Sequence, residues 1–409
     1  MWNAAGQHAG GTLRATFERS LSGRVWMVVV LAALVLSIAA AALSHIPRRA
    51  EPSQIIAYFF PRDHVIAPGE IAADKLTRIN YAFANIKEGR IVAVNPADKP
   101  NFAALVALKQ QNPSLQILIS VGGWLWSGNF SDMALTRKSR REFIDSVVVF
   151  IDQNKLDGLD IDWEYPGQTG AGNRFRPEDR SNYTELLKEL RARFNHEQRK
   201  LGRPLLLSVA AGASSEFIEH TEMGQVQRYV DTVNLMTYDY YEPGTDKVTG
   251  NHAPLYVDPG DPKRISADKS VHEFESAGVP PQKIVLGVPF YGHVWGNVAP
   301  TNHGLFQPGV PVPNAFASYN AIVAAMLNYG FTRYWDAAAS VPYLYSEQKQ
   351  EFISYEDAES LGLKCAYVQR EKLGGVMFWE YSGDASGTLL GTIHHAFYES
   401  GSSAAGSNK

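Results

Sequence analysis

Short hydrophobic runs recur along the chain from residue 54 onward, and segments with helical periodicity separate several of them. Most of the runs are nearly continuous in Val, Ile, Leu and aromatic residues, which is typical of strands that helices cover on both faces. The eight runs are Gln54–Phe60, Arg78–Ala84, Leu115–Val121, Leu156–Trp163, Pro204–Ala210, Val230–Thr237, Lys283–Phe290 and Gly374–Tyr381. Eight strands that alternate with helices predict an α/β fold, namely a (β/α)8 TIM barrel.

The interval between the seventh and eighth runs, Tyr291–Leu373, is too long for a single helix. It contains strand-like and helical stretches of its own, so we predict an α+β insertion within about residues 293–372 of a barrel domain that spans residues 54–398. The last residues, 399–409, have the sequence ESGSSAAGSNK, and we predict that they form a disordered tail.

One long apolar segment lies before the first strand. Residues 25–43 contain no charge, and only Ser37 interrupts the apolar run. As a helix they would span about 28 Å, close to the hydrocarbon thickness of a bilayer. We therefore predict a leader (1–24), a transmembrane or signal-anchor helix (25–43) and a linker (44–53), with the barrel anchored to a membrane outside the cytoplasm, in the periplasm or the extracellular space. A cleaved signal peptide, which would make the protein secreted, and a buried helix are the alternatives.

Composition and charge narrow the classes of function. Lys and Arg number 38 and Asp and Glu 42, so the net charge of −4 provides no basic field for nucleic acid. A hydrophobic content of 45% with 20% charged residues is that of a globular protein and not of a disordered chain. The single cysteine, Cys365, excludes an internal disulfide and a cysteine-based zinc site, whereas sites made of His and carboxylates stay open.

The fourth run carries the candidate chemistry. Because side chains alternate across a strand, Asp160, Asp162 and Glu164 project to one face, which in a barrel is the interior. The intervening residues, which project toward the helices, are Leu159, Ile161, Trp163 and Tyr165. Three carboxyls spaced about 6.6 Å apart do not all ionise cheaply, so we expect at least one to keep its proton near neutral pH. A carboxyl that keeps its proton can act as a general acid.

Other interpretations of these carboxyls are weaker. A calcium-binding loop of the Asp-x-Asp-x-Asp-Gly type needs Gly at its sixth position and Glu at its twelfth, where the chain has Tyr165 and Ala171. A purely structural cluster is disfavoured because unpaired buried charge is costly. A carboxylate metal site inside the barrel stays open as an alternative.

Because of the acidic residues in this predicted strand, the sequence resembles glycoside hydrolase family 18, the chitinase family. The Asp-x-x-Asp-x-Asp-x-Glu signature of that family is matched by Asp157, Asp160, Asp162 and Glu164. Further segments resemble the family's motifs at strands three, six and eight and in the loop after strand six, and these are 120–124 (SVGGW), 236–239 (MTYD), 378–384 (FWEYSGD) and 249–256 (TGNHAPLY). The resemblance extends from Tyr58 to Asp384, and the insertion resembles that of the deep-cleft subgroup.

The resemblance implies an enzyme, a chitinase-type glycosidase that cleaves β-1,4 bonds between N-acetylglucosamine units with retention and without an enzyme nucleophile. It implies that Glu164 protonates the glycosidic oxygen and that Asp162 orients the substrate's acetamido group, whose own oxygen attacks the anomeric carbon. Asp160 would share a proton with Asp162, and Tyr238 would bind the acetamido carbonyl. The resemblance implies neither a metal nor a cofactor. Asp157 alternates out of phase with the other acids, so we expect it to be structural.

Substrate-binding residues follow from the same resemblance. They are Tyr58, Phe83, Trp124, Met236, Asp239, Tyr291, Met377 and Trp379, and Trp379 would form a hydrophobic floor beneath the sugar. The chain departs from many deep-cleft members at His293, where they carry Arg. It also departs from them after the first strand and after Asp239. Exo or endo action and chain-length preference therefore stay open.

Three functions compete on this basis. The leading hypothesis is a chitinase whose partner is chitin or an N-acetylglucosamine oligosaccharide. The enzymatic alternative is a β-N-acetylglucosaminidase that acts on peptidoglycan or glycan cores, and the non-enzymatic alternative is a chitin-binding lectin. Lectins of this family typically lack the acid at the position of Glu164 or its Asp partner, whereas this chain has both. We expect a monomer that is anchored to the membrane by its N-terminal helix and that binds no nucleic acid.

Overall fold

The computed structural model of the protein describes residues 53–313, 317–328 and 330–399. The predicted leader and membrane helix (1–43), the linker up to residue 52 and residues 400–409 of the predicted tail lie outside these ranges. No helix within the described ranges is long and apolar enough to cross a membrane. The membrane anchor therefore stays a prediction.

Strands and helices alternate along most of the described chain. The strands are β1 (Gln54–Phe59), β2 (Arg78–Lys87), β3 (Arg90–Val92), β4 (Gln116–Gly122), β5 (Gly158–Asp162), β6 (Leu206–Gly212), β7 (Thr232–Met236), β8 (Ile284–Pro289), β9 (Tyr291–Gly296), β10 (Val310–Pro311), β11 (Ala317–Ser318), β12 (Thr332–Asp336), β13 (Val341–Ser346), β14 (Glu351–Ser354) and β15 (Gly375–Trp379). The α-helices are α1 (Asp98–Ala107), α2 (Phe130–Ala134), α3 (Arg137–Asn154), α4 (Asp179–Leu201), α5 (Ser215–Glu219), α6 (Met223–Val226), α7 (Ala267–Ser276), α8 (Tyr319–Asn328), α9 (Ala358–Arg370) and α10 (Thr388–His394).

Eight of the described strands close into a parallel barrel. Their order is β1-β15-β8-β7-β6-β5-β4-β2, and β2 pairs again with β1 to close the ring. Each of the eight predicted runs overlaps one barrel strand, and no predicted end differs from the observed one by more than three residues. The prediction of a (β/α)8 barrel is therefore confirmed.

Helix α3 shows how local sequence produces the outer layer. Thr136 caps its first turn, accepting a hydrogen bond from the backbone N–H of Ser139 at 3.1 Å. Phe143, Val147 and Ile151 recur at a spacing of four and are fully buried in the apolar layer between helices and barrel. Helix α4 carries an equivalent buried stripe, which consists of Tyr183, Leu186, Leu187, Leu190 and Phe194.

The predicted insertion is a second sheet between β8 and β15. It has six strands in the described part of the chain, in the order β10-β9-β14-β13-β12 with β11 beside β9, and its pairings are antiparallel. The sheet begins with β9 at Tyr291, two residues before the predicted start of the insertion. Only Phe290 separates β9 from the barrel strand β8. Helix α9, which falls inside the predicted insertion, packs against β15 and so belongs to the barrel.

The described chain ends in a helical turn, His395–Glu399. The Tyr398 hydroxyl in this turn donates to the Ser53 carbonyl at 2.8 Å, beside the start of β1. The turn includes Glu399, the first residue of the predicted tail, and the rest of that tail lies outside the described residues.

Candidate active site

A cavity of about 970 Å³ opens at the carboxyl ends of the barrel strands. The last residues of β5, β7 and β15, which are Asp162, Met236 and Trp379, line it. Strand β9 of the insertion adds Tyr291 and His293 to the wall. Active sites of TIM barrels lie at this end because the loops that follow the strands vary without disturbing the barrel.

The cavity brings together most of the residues predicted for the site. Those that line it are Tyr58, Phe83, Trp124, Asp162, Glu164, Met236, Tyr238, Asp239, Tyr291 and Trp379. Asp160 and Met377 are fully buried instead. Asp160 accepts a hydrogen bond from Tyr58, and the Met377 sulfur lies 4.0 Å from the Tyr238 hydroxyl. These two residues therefore support lining side chains rather than form the cavity surface.

Asp160 is surrounded by four hydrogen-bond donors inside the barrel. The hydroxyls of Tyr58 and Ser120 donate to its Oδ2 at 2.9 and 2.8 Å. The Ser208 hydroxyl and the Asn234 amide donate to its Oδ1 at 2.6 and 3.3 Å. Burial raises the pKa of Asp160, and the hydroxyl donors act in the opposite direction and limit the shift. Both oxygens of Asp160 are thus already paired.

Asp162 pairs with Glu164 rather than with Asp160. Its carboxyl donates a hydrogen bond to the Glu164 carboxyl. Burial raises the pKa of Asp162 well above its ordinary value, and repulsion from Glu164 and Asp160 adds to the rise. The oxygens of Asp160 are occupied by other donors, and the proton sharing between Asp160 and Asp162 stays a prediction.

Glu164 has the electrostatic character of a general acid. Its side chain is buried, and burial, with the negative charges of Asp239 and Glu242, raises its pKa to about 7. Hydrogen bonds from Tyr165 and Asp162 lower the pKa and keep it from rising further. A carboxyl with a pKa near neutrality can both donate and take up a proton during one turnover.

A tight turn after β4 holds the backbone on either side of the acid pair. The Gly123 N–H donates to the Asp162 carbonyl at 2.7 Å, and the Ser127 hydroxyl accepts from the Glu164 N–H at 2.9 Å. Gly122 has a φ of +108°, and a Cβ there would lie 2.1 Å from the Asp162 carbonyl oxygen. A side chain at position 122 is therefore incompatible with this approach of the two strands.

Aromatic rings form one wall of the cavity. Trp379 stacks on Phe83 with ring centroids 5.5 Å apart and an interplanar angle of 21°, and it also contacts Tyr58 and Phe60 at 6.0 and 5.9 Å. At the rim, the Trp124 side chain is 51% exposed. Exposed and half-buried rings of this kind are suited to stacking against the apolar faces of sugars.

A polar cluster surrounds Asp239, a cavity-lining residue with a φ of +59°. Its Oδ1 accepts hydrogen bonds from the Tyr291 hydroxyl at 2.6 Å and from His293 Nε2 at 2.8 Å, and His252 Nδ1 lies 3.6 Å away. Burial alone would raise the pKa of Asp239, but the two histidines outweigh it and hold the pKa below its ordinary value. Asp239 is therefore anionic, and its charge acts on Glu164.

Comparison with known proteins identifies the family. The profile of glycosyl hydrolases family 18 matches residues 54–384. The chain belongs to this family. Chitinase A1 of Niallia circulans is 40% identical over 322 residues, which are 74% of this chain and 46% of that protein. The chain thus spans about half the length of this family 18 relative.

Two solved structures match this chain over nearly their whole length. A glycoside hydrolase family 18 N-acetylglucosaminidase from Paenibacillus barengoltzii has a TM-score of 0.77 and 40% identity, covering 84% of this chain and 99% of that one. A Glu-to-Gln mutant of the class V chitinase from Nicotiana tobaccum, in complex with NAG4, has a TM-score of 0.77 and 29% identity, covering 85% of this chain and 99% of that one.

Some residues of this family 18 site were not singled out from the sequence. Tyr165 was expected to face the helices, but it lines the cavity and bonds Glu164. The reason is that β5 ends at Asp162, so the alternation of a strand does not extend to residue 165. Ser127 carried no signal of its own, and His252 appeared only within the segment 249–256 (TGNHAPLY), with no role assigned to it. Asp157 is structural as expected, because it bridges Lys109 and Arg203 away from the cavity.

Proposed function

We propose that this protein is a chitinase-type glycoside hydrolase that cleaves β-1,4 linkages between N-acetylglucosamine units by a retaining, substrate-assisted mechanism. The observation that carries the proposal is the Asp162–Glu164 carboxyl pair, which keeps protons near neutral pH on the wall of an aromatic-lined cavity. Membership of family 18 and the chitinases among its relatives support the choice of substrate.

Glu164 is the general acid of the proposed reaction. It transfers its proton to the glycosidic oxygen while the bond from that oxygen to the anomeric carbon breaks, so the leaving sugar departs as a neutral alcohol. The hydroxyl of protonated Asp162 already donates to Glu164 and stabilises the carboxylate that Glu164 becomes. Glu164 then takes a proton from the water that opens the intermediate, which restores the acid.

The nucleophile is the acetamido oxygen of the substrate. It attacks the anomeric carbon and forms an oxazolinium ring, and water later attacks the same carbon, so two inversions give net retention. Asp162 Oδ1 is buried and has no hydrogen-bond partner among the described residues. It is therefore available to accept the acetamido N–H and to orient the group for attack.

The remaining side chains position the sugar. Burial and the charge of Asp239 raise the pKa of Tyr238, so its hydroxyl stays protonated and can donate to the acetamido carbonyl. Trp379, with Phe83 and Tyr58 against it, provides the apolar surface on which the reacting sugar rests. No metal or cofactor takes part in these steps.

A β-N-acetylglucosaminidase is the second candidate function. The observation that favours it is the likeness to the N-acetylglucosaminidase from Paenibacillus barengoltzii, at 40% identity. Both candidates use the same acid pair and differ in the length and source of the glycan. A chitin-binding lectin is disfavoured because a bare binding site needs no proton-retaining pair like Asp162 and Glu164.

The decisive experiment compares products from tri- to penta-N-acetylchitooligosaccharides and from purified peptidoglycan. Glu164→Gln is expected to lower kcat at least ~10²-fold while oligosaccharide binding persists, since only proton transfer is lost. Glu219→Gln makes the same change at an exposed carboxyl on α5 and is expected to keep the native rate. Release of sugars from peptidoglycan alone would reject the chitinase, and full activity in Glu164→Gln would reject the acid.

Location and assembly belong to the proposal as well. We propose a catalytic domain outside the cytoplasm because the apolar segment 25–43 suits a membrane anchor or a secretion signal. The N-terminus of the mature protein and its distribution between membrane and soluble fractions distinguish the two. The monomeric state stays a prediction that sedimentation would test.

A further inference from the structure

Three metal-ligating side chains come together beside the substrate cavity, where Asp239 and His293 line it and His252 is fully buried. The ligand atoms of Asp239, His252 and His293 all lie within 4.8 Å of one another. From Asp239 Oδ1, His293 Nε2 is 2.8 Å distant and His252 Nδ1 is 3.6 Å distant. Ligand atoms around a tetrahedral zinc ion, with bonds of about 2.0–2.1 Å, lie roughly 3.3 Å apart. The two separations from Asp239 Oδ1 therefore bracket the value expected for a metal site.

His252 supplies an independent indication of a ligand. Its side chain is fully buried, and neither ring nitrogen has a hydrogen-bond partner among the described residues. Buried polar groups are normally paired, because an unpaired one loses its hydration without compensation. Nδ1 of this ring faces Asp239 Oδ1 at 3.6 Å, an ion-pair contact that is longer than a hydrogen bond.

The backbone around His252 is held firmly. Its N–H donates to the Ser354 hydroxyl at 2.8 Å, and its carbonyl accepts from the Tyr240 N–H at 3.0 Å. The adjacent Asn251 amide donates to Asp336 at 2.6 Å. These bonds join the loop to the insertion sheet, so the imidazole is fixed before any ion arrives, which lowers the entropic cost of binding.

We propose that Asp239, His252 and His293 bind a divalent transition-metal ion, with Zn²⁺ as the ion best suited to two imidazoles and one carboxylate. The carboxyl of Asp239 is 36% exposed and His293 is 14% exposed, so an ion enters from the cavity. The three side chains leave a fourth coordination position for water or for a substrate oxygen. His252 meets the ion through Nδ1, the nitrogen that faces Asp239.

The bound ion inhibits the enzyme rather than assisting it. Asp239 lines the cavity, and its negative charge helps to raise the pKa of Glu164. An ion on Asp239 neutralises that charge, so the pKa of Glu164 falls and less of the acid keeps its proton near neutral pH. The ion also occupies space beside the sugar-binding residues and so weakens substrate binding. This consequence rests on the proposed function, whereas the binding of the ion does not.

The test begins with direct binding to chelator-treated, full-length protein. Calorimetric titration with Zn²⁺, and the visible absorption of Co²⁺ as a substitute, are expected to show one bound ion in the wild type. His293→Gln removes a partly buried ligand that lines the cavity, and it is expected to lower the affinity at least about tenfold. His64→Gln is the matched control, because His64 pairs with Glu70 on the surface at the same 2.8 Å.

Activity assays complete the test. Zn²⁺ is expected to inhibit the wild type and His64→Gln, the chelator EDTA to restore them, and His293→Gln to be less sensitive relative to its own metal-free rate. Equal zinc affinity in the wild type and His293→Gln would overturn the site, as would no binding at all. Specific binding in a protein that hydrolyses no glycan would leave the site standing and reject the proposed function instead.

Discussion

Replacing Glu164 by Gln is expected to stabilise the folded protein at alkaline pH. A carboxyl whose pKa rises from 4.5 to about 7 on folding destabilises the folded state by about 3 kcal/mol once it is ionised. Between these two values the folded state binds more protons than the unfolded chain, so stability is fully present below pH 4.5 and is lost as the pH rises through 7. Glutamine carries no charge at any pH and avoids this loss.

The effect is large enough to measure by thermal unfolding. A barrel of about 345 residues unfolds with an entropy of about 0.7 kcal/mol/K, so the gain is roughly 4 °C in Tm at pH 8 and near zero at pH 4. Scanning calorimetry of the wild type and Glu164→Gln across this range gives the difference directly. Glu219→Gln, at an exposed site, is expected to shift Tm little at either pH. A Tm difference that is the same at pH 4 and pH 8 would refute the reasoning.

Two further substitutions test the cavity. Tyr165→Phe removes a hydrogen bond that lowers the pKa of Glu164, so the alkaline limb of the pH profile of kcat/KM is expected to move to higher pH; an unchanged limb would contradict the contact. Trp379→Ala removes the stacked floor and is expected to lower kcat/KM by about 10²-fold, the equivalent of about 3 kcal/mol. Trp379→Phe keeps an aromatic face and is expected to recover much of that loss, and equal rates in the two variants would exclude stacking.

The barrel was predictable because each of its strands is buried on both faces. Burial on both faces demands an almost unbroken apolar run, and runs such as Ile284–Pro289 (β8) have that pattern. The boundary of the insertion was harder to predict from the sequence, since a single residue, Phe290, separates β9 from β8. Hydrophobic pattern alone does not distinguish a chain that turns into a new sheet from one that continues to a helix.

The site was predictable where residues sit on strands and unpredictable where loops deliver them. Asp160 and Asp162 were placed by the alternation of β5. Tyr165 was misplaced because it lies beyond the end of that strand. The cluster of Asp239, His252 and His293 draws on three separate segments that meet only in the folded chain, so no local spacing indicates it.

Asp160 and Asp162 have different roles because different residues lie beside them on the neighbouring strands. In the register of β4, β5 and β6, Asp160 is flanked by Ser120 and Ser208, and both hydroxyls donate to it. Asp162 is instead paired with Gly122, which has no side chain to donate. Asp162 therefore lacks donors, retains its proton and bonds Glu164. The absence of a side chain at position 122 thus both permits the close approach of the strands and leaves Asp162 free to pair with the acid.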